Sequence, residues 1–116
     1  MFKTRQQMFN LEIQHEGATV RVFLTGELDL STAPDVLAQI QGLSSGGLPD
    51  LVIDLSALDF IDSAGLYVFI TLHKRARAEA TKFVLASPRA QFLRLTEVAG
   101  LQDYFDFDDS TPNPYA

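Results

Sequence analysis

A strand–helix–strand pattern occupies the middle of this chain and restricts its fold more than any other feature. Leu51–Ile53 is a continuous apolar run, typical of a strand that is covered on both faces. Apolar residues then recur at helical spacing from Leu66 to Ala76, and Phe83–Ala86 forms a second apolar run. Two strands joined through a helix are parallel and are connected by a right-handed crossover. The pattern predicts a βαβ unit within a mixed sheet.

The residues before this unit predict a hairpin and a helix. Apolar and polar residues alternate over 11–14 and again over 20–25, as in two half-buried antiparallel strands. Ser31 or Thr32 is expected to cap the following helix, and the Gly46–Gly47 pair to end that segment.

The residues after the unit predict a third helix and a short strand. Ser87–Pro88 has the composition of a helix cap followed by a first helical residue, and Phe92, Leu95 and Val98 fall on one inner stripe. A last strand is expected near Tyr104–Phe107. The order ββαβαβα(β) predicts a single α/β domain, a mixed sheet with helices packed on it.

Length and composition restrict the chain to one small domain. Its 116 residues suffice for one core, so we expect a domain over 8–107 and a flexible C-terminal tail over 108–116. The absence of cysteine excludes disulfides and thiolate metal sites. No apolar run reaches the roughly 20 residues of a membrane span, so a cytoplasmic protein without a membrane partner is expected. A net charge of −6 argues against a nucleic-acid partner.

Ser63 begins the central helix within the run Asp62-Ser63-Ala64-Gly65, and three roles suit a serine there. Its hydroxyl, or the carboxylate of Asp62, can cap the helix. A catalytic role needs a nearby base, yet His15 lies near the first turn and His73 about 15 Å further along the same helix. Phosphorylation requires no further group, because a helix N-terminus accommodates a phosphate. Capping and phosphorylation therefore remain open, and an enzyme is not expected.

Clustered carboxylates raise the separate question of a magnesium site. Asp54, expected to end a parallel strand, resembles the phosphoryl acceptor of response-regulator receivers, and Asp59 and Asp62 follow it. Those receivers also carry an acidic pair after the first strand and a lysine after a late strand. Here the first strand is followed by His15-Glu16-Gly17, which is not an acidic pair, and no lysine follows Lys82. We therefore expect no metal site.

Two motifs together resemble STAS domains, above all the stand-alone bacterial anti-sigma factor antagonists. The first is Thr25-Gly26-Glu27-Leu28-Asp29 followed by Ser31-Thr32-Ala33. The second is Asp54-Leu55-Ser56 with Phe60-Ile61-Asp62-Ser63-Ala64-Gly65-Leu66. The resemblance extends over roughly 11–107 in the order of the elements. Members of this family usually end in a further amphipathic helix, whereas this chain ends DDSTPNPYA, which has no helical stripe.

The resemblance implies a regulatory switch operated by a serine kinase. In this family an anti-sigma factor that is also a serine kinase phosphorylates the serine equivalent to Ser63, and a phosphatase removes the phosphate. The unmodified antagonist binds the kinase and releases a sigma factor, whereas the phosphorylated form does not bind. The nucleotide of this cycle belongs to the kinase, so the resemblance implies no cofactor for this chain. A STAS subunit of a transporter-associated or stress-signalling complex is the alternative. By the same matching, the partner-binding residues are Asp29, Ser31, Thr32, Asp62, Ser63, Ala64 and Gly65.

Overall fold

A five-stranded sheet with three helices forms the fold, in the order that the sequence predicts. The structure is a computed structural model and describes residues 9–108. The strands are β1 (Asn10–Glu16), β2 (Thr19–Leu28), β3 (Asp50–Ile61), β4 (Phe83–Ala86) and β5 (Asp106–Asp108). The helices are α1 (Ala33–Gln41), α2 (Ser63–Glu79) and α3 (Ala90–Val98).

The strands follow one another across the sheet in sequence order. β1 pairs antiparallel with β2 as a hairpin, and each later pairing is parallel. Each parallel pair is joined through a helix, so the carboxyl ends of β2 and β3 lie at one edge of the sheet, where Leu28 pairs with Ile61. The loops at that edge therefore meet, as is usual for functional loops of α/β sheets.

The core lies between the sheet and its helices. Val36 and Ile40 of α1 are buried, as are Leu66, Phe69 and other apolar residues of α2. Phe92 of α3 packs edge-to-face on Phe69, with 5.9 Å between the ring centroids. The helical spacing read from the sequence thus marks the buried faces of α1 and α2 correctly.

β3 is much longer than its apolar centre, and the prediction that Asp54 ends this strand is wrong. β3 continues seven residues beyond Asp54, because β2 offers backbone partners as far as Ile61. The Asp54 side chain is fully buried: its Oδ1 accepts hydrogen bonds from the N–H and hydroxyl of Ser56 (3.0 and 2.6 Å), and Arg21 lies 3.8 Å from Oδ2. Asp54 is a structural residue within the sheet.

Two predictions about α1 are also wrong. Thr32 occupies the N-cap position, but neither its side chain nor that of Ser31 caps the helix. α1 ends at Gln41, with Gly42 as its C-cap, several residues before the Gly46–Gly47 pair. The two hydroxyls do not cap α1 because they donate to Asp29 and to the Glu27 carbonyl in the preceding loop.

The predicted start of α3 at Ser87–Pro88 is wrong as well. Ser87 has a left-handed backbone (φ 53°), and its N–H donates to the carbonyl of Asp108 at 2.7 Å. That bond ties the end of β4 to β5, and α3 begins only at Ala90. Val98, predicted to be on the inner stripe, is 82% exposed, whereas Thr96 is buried.

The C-terminal strand lies slightly later than predicted, at Asp106–Asp108 instead of 104–107. Of the predicted tail over 108–116, Asp108 belongs to β5 and the rest lies outside the described residues, as does the segment where a further helix would stand. Within residues 9–108, no helix has the length and apolar character needed to cross a membrane.

Candidate functional site

The carboxyl end of β3 is held by a side chain from α3. Beyond Asp54, β4 no longer pairs with β3, so the backbone of Ile61 lacks a strand partner on that side. Gln91 takes that place: its Oε1 accepts from the Ile61 N–H at 3.0 Å, and its Nε2 donates to the Ile61 carbonyl at 2.8 Å. The strand end that precedes Asp62 is thereby fixed. Sequence reasoning missed Gln91, because no local pattern signals a contact thirty positions away.

Asp62 connects the start of α2 with the loop after β2. As the N-cap residue of α2, it accepts at Oδ1 from the N–H groups of Ala64 (2.9 Å) and Gly65 (3.1 Å). Its Oδ2 accepts from the N–H of Leu30 at 3.2 Å, and its own N–H donates to the carbonyl of Leu28 at 3.1 Å. The expected capping of α2 is therefore performed by Asp62, and the same carboxylate joins two loops.

Gly65 allows the first turn of α2 to lie directly on β2. A Cβ atom at this position would lie 2.7 Å from Cγ1 of Ile61, and 2.8 Å from both Cγ and the carbonyl oxygen of Leu28. Gly26 has a positive φ of 95° at an irregularity in the β2–β3 register. These two glycines are thus required by the backbone, as the sequence suggested.

The loop after β2 is organised around Asp29. Its Oδ1 accepts from the hydroxyl of Ser31 (2.8 Å) and from the N–H groups of Ser31 (3.0 Å) and Thr32 (3.2 Å). The Thr32 hydroxyl donates to the carbonyl of Glu27 at 3.0 Å and accepts from the N–H of Asp29 at 2.9 Å. The hydrogen bond from Ser31 is the main cause that lowers the pKa of Asp29. This loop is therefore ordered by its own polar groups.

Ser63 is the first residue of α2 and is exposed to solvent. Its hydroxyl forms no hydrogen bond with any residue of the described chain, in contrast to those of Ser31, Thr32 and Ser56. The structure thus brings the predicted loop residues close to the predicted serine, whose hydroxyl is exposed and unpaired within residues 9–108.

Neither histidine lies close enough to Ser63 to act as its catalytic base. His15 pairs with Val20 near the amino end of β2, at the opposite edge of the sheet. His73 lies about 15 Å further along α2 and is buried among aromatic rings. Within the described residues, no group of three or more His, Cys, Asp or Glu side chains could hold a metal ion.

An apolar groove between α1 and α2 adjoins Ser63. It measures about 320 Å³ and is lined by Leu30, Ala33, Pro34, Leu37, Ala64, Tyr67 and Val68. Leu30 and Tyr67 are 77% and 64% exposed, so the groove presents apolar surface to solvent. An exposed apolar surface beside polar loops is typical of a protein-binding site.

Asp62→Ala is expected to lower the free energy of unfolding by about 1–2 kcal/mol, because the N–H groups of Ala64, Gly65 and Leu30 lose their acceptor. Urea unfolding followed by circular dichroism measures this change. Asp62→Asn, which keeps one carbonyl oxygen as a cap, should lose less. Equal losses in the two variants would contradict the capping role.

Ser31→Ala is expected to raise the pKa of Asp29 toward its ordinary value, because the ionised carboxylate loses its main hydrogen-bond donor. A lowered pKa stabilises the fold above the unfolded-state pKa, and this stabilisation is lost as the pH falls through the folded-state pKa. The variant should therefore lose less stability as the pH falls below the ordinary pKa of an aspartate. Carbon-13 NMR titration of the carboxyl group gives the pKa directly, and an unchanged value would contradict this account.

Comparisons with known proteins agree with this architecture. The sequence model of the STAS domain matches residues 10–113. Anti-sigma-B factor antagonists of Bacillus subtilis and Listeria monocytogenes are 28% and 32% identical to the chain. The alignments cover 84% and 75% of this chain and 88% and 76% of those proteins.

Solved structures of the same kind of protein share the fold. An anti-sigma factor antagonist from Mycobacterium paratuberculosis superposes with a TM-score of 0.77 at 25% identity, covering 88% of this chain and 86% of the other. Unphosphorylated SpoIIAA, also an anti-sigma factor antagonist, gives 0.70 at 25% identity and covers 89% of both. Phosphorylated SpoIIAA gives 0.68 at 24% identity, covering 88% and 91%. With its mixed sheet and three helices, the chain belongs to the STAS domain family.

Proposed function

We propose that this chain is an anti-sigma factor antagonist whose binding is switched by phosphorylation of Ser63. The unphosphorylated form binds an anti-sigma factor that is also a serine kinase, and a sigma factor is thereby released. Phosphorylation of Ser63 weakens the complex, and a serine phosphatase restores the binding form. The names of the relatives support the general role, since both are anti-sigma-B factor antagonists and the alignments cover most of their lengths.

The free, exposed hydroxyl of Ser63 is the observation that carries the proposed switch. It lies at the N-terminus of a helix of 17 residues, where the helix dipole favours a phosphate. A phosphoserine carries a charge of about −1.5 to −2 at neutral pH, here placed directly after the carboxylate of Asp62. Modification therefore changes the charge of the surface while the fold is retained.

The proposed partner surface combines the polar loops with the apolar groove. Asp62 fixes the Leu30 loop against the first turn of α2, so the groups on both loops form one continuous surface. The apolar groove beside Ser63 would receive apolar side chains of the anti-sigma factor, with Leu30 and Tyr67 as contacts. The proposed partner-binding residues on the two loops are Asp29, Ser31, Thr32, Asp62, Ser63, Ala64 and Gly65.

The regulatory role requires no chemistry from this chain. The kinase partner supplies ATP and the catalytic groups, and Ser63 acts only as the phosphoryl acceptor. Neither a cofactor nor a metal ion is part of the proposal, and the chain itself is not an enzyme.

Phosphorylation by the cognate kinase tests the proposal. The purified protein is incubated with ATP and the anti-sigma factor kinase of its organism, and the product is analysed by mass spectrometry. We expect one phosphate, located on Ser63, and none on Ser63→Ala. Phosphate on another residue, or none, would contradict the switch. Stable binding that persists after complete phosphorylation would instead indicate a subunit of a larger assembly.

A further inference from the structure

A second cavity of about 320 Å³ lies at the opposite edge of the sheet, at the amino ends of β4 and β5. It is bounded by the C-terminal part of α2 and is lined by His73, Ala76, Arg77, Thr81, Lys82, Phe83, Val84 and Asp106. Its size falls within the range of small-molecule sites. The α2 residues that line it lie between His73 and Arg77, so the cavity is about 15–21 Å along the helix from Ser63. The proposed switch uses none of its groups.

His73 lines this cavity with both ring nitrogens unused. The side chain is only 4% exposed, and neither Nδ1 nor Nε2 has a hydrogen-bond partner. The rings of Tyr104, Phe105 and Phe83 surround it at centroid distances of 4.6, 5.6 and 6.0 Å. A phenylalanine would fill such an aromatic cluster without the cost of burying two unpaired polar atoms. Aromatic packing thus explains why a ring stands at this position, but not why that ring has two nitrogen atoms.

Thr81 adds a second unused polar group beside His73. Its Oγ1 is buried and also lacks a hydrogen-bond partner, although its backbone N–H donates to the carbonyl of Ala76 at 2.9 Å. His73 and Thr81 thus both place buried polar atoms without partners at the same cavity. Native proteins rarely leave such groups unpaired, and they usually mark the place of a bound water, ion or ligand.

The charges around the cavity favour an anion. Arg77 and Lys82 both line it, and within residues 9–108 neither forms an ion pair. The adjacent Asp106 is the one acidic residue of the lining. The lining thus has a net positive charge, in a chain whose net charge is −6. The C-terminal end of α2 carries a partial negative charge, which by itself would repel an anion. The positive charges of Arg77 and Lys82 offset this repulsion.

We propose that this cavity binds the phosphate group of a small phosphorylated metabolite. The several oxygens of a phosphate accept hydrogen bonds from more than one donor at once, which suits Arg77, Lys82, Thr81 and a ring N–H of His73. A hydroxyl or amino group elsewhere on the metabolite would donate to Asp106. The ligand would occupy a site separate from the partner surface around Ser63.

The protonation of His73 provides a specific readout. Burial lowers the pKa of His73, Arg77 lowers it further, and Asp106 acts in the opposite direction. The other polar groups at the cavity are Lys82, before β4, and Thr81, and Tyr104 stacks on the ring. A bound phosphate favours the charged imidazole and is therefore expected to raise the pKa of His73.

Titration with inorganic phosphate tests the proposal on the full chain. Nitrogen-15 NMR follows the imidazole of His73 and the amides of Thr81 and Lys82, with sodium chloride at matched ionic strength as the reference. We expect saturable shifts at these groups, a raised pKa of His73, and no change at His15, the other histidine of the chain. Shifts that do not saturate, or that sodium chloride reproduces, would overturn the site.

Matched variants assign the binding to the cavity. Arg77→Gln is expected to weaken phosphate binding about tenfold, because a charge-assisted hydrogen bond is lost. Lys74→Gln, the same change of charge at an exposed residue of α2 outside the lining, should bind as the unmodified chain does. His73→Phe should stay folded and also bind more weakly. Equal binding by Arg77→Gln and Lys74→Gln, or unchanged binding by His73→Phe, would contradict the proposal.

Discussion

Ser63→Asp is expected to weaken binding of the anti-sigma factor about a hundredfold, which corresponds to an unfavourable contact of a few kcal/mol. The aspartate places a negative charge next to Asp62, on a surface that the partner must desolvate. The fold should not suffer, because an acidic side chain at the first position of α2 is favoured by about 0.3–1 kcal/mol. Isothermal titration calorimetry measures the affinity, and thermal unfolding measures the stability.

Ser63→Asn is the matched control for this substitution. Asparagine has almost the shape of aspartate without its charge. The difference in affinity between Ser63→Asn and Ser63→Asp therefore reports the effect of the charge alone. We expect Ser63→Asn to bind within about tenfold of the unmodified chain, and Ser63→Ala to bind equally well. Equal weakening by asparagine and aspartate would mean that size, not charge, controls the interface.

Gly65→Ala is expected to destabilise the fold by about 1–3 kcal/mol or more, because the added methyl group has no space. Two of the atoms it would meet are side-chain carbons of Ile61 and Leu28, which have some freedom to move. The third is the carbonyl oxygen of Leu28, 2.8 Å away, whose carbonyl also accepts the N–H of Asp62. Relief of the collision would shift α2 away from β2 and stretch that bond. Urea unfolding and partner affinity should both report the change.

Gly46→Ala serves as the control for the Gly65 substitution. A Cβ at Gly46 would have its nearest neighbour at 3.9 Å, the hydroxyl oxygen of Ser44. Its unfolding free energy should stay within about 0.5 kcal/mol of the unmodified value. If Gly65→Ala were equally harmless, the close approach of α2 to β2 would not be a structural requirement.

The residues of the partner site are predictable because they are neighbours in the chain. The geometry of the site depends on contacts between residues that are far apart in the chain. The Asp62–Gly65 run marked the start of α2 and the exposed serine, since capping and helical spacing are local properties. The contacts of Asp62 with Leu30 and of Gln91 with Ile61 join positions about thirty residues apart. No periodicity within one segment encodes such pairs.

Two of the wrong predictions, those for Asp54 and for Ser87–Pro88, have the same physical origin. The sequence pattern places Asp54 at a strand end, because the apolar run stops before it. The backbone of β2 and contacts with Ser56 and Arg21 nevertheless keep Asp54 inside β3. Ser87–Pro88 has the composition of a helix start, yet its backbone is bound to β5. In both cases a tertiary contact outweighed a local preference.

By itself, the sequence determined the order of strands and helices, the buried stripes of α1 and α2, and the position of Ser63 at a helix start. These features follow from the spacing of apolar residues and from cap and turn residues, which act over a few positions. Only the tertiary structure decided that Asp62 fixes the Leu30 loop, that the hydroxyl of Ser63 is free, and that His73 lines a polar cavity. Each of these depends on parallel strands and packed helices that bring distant residues together, which local physical preferences do not specify.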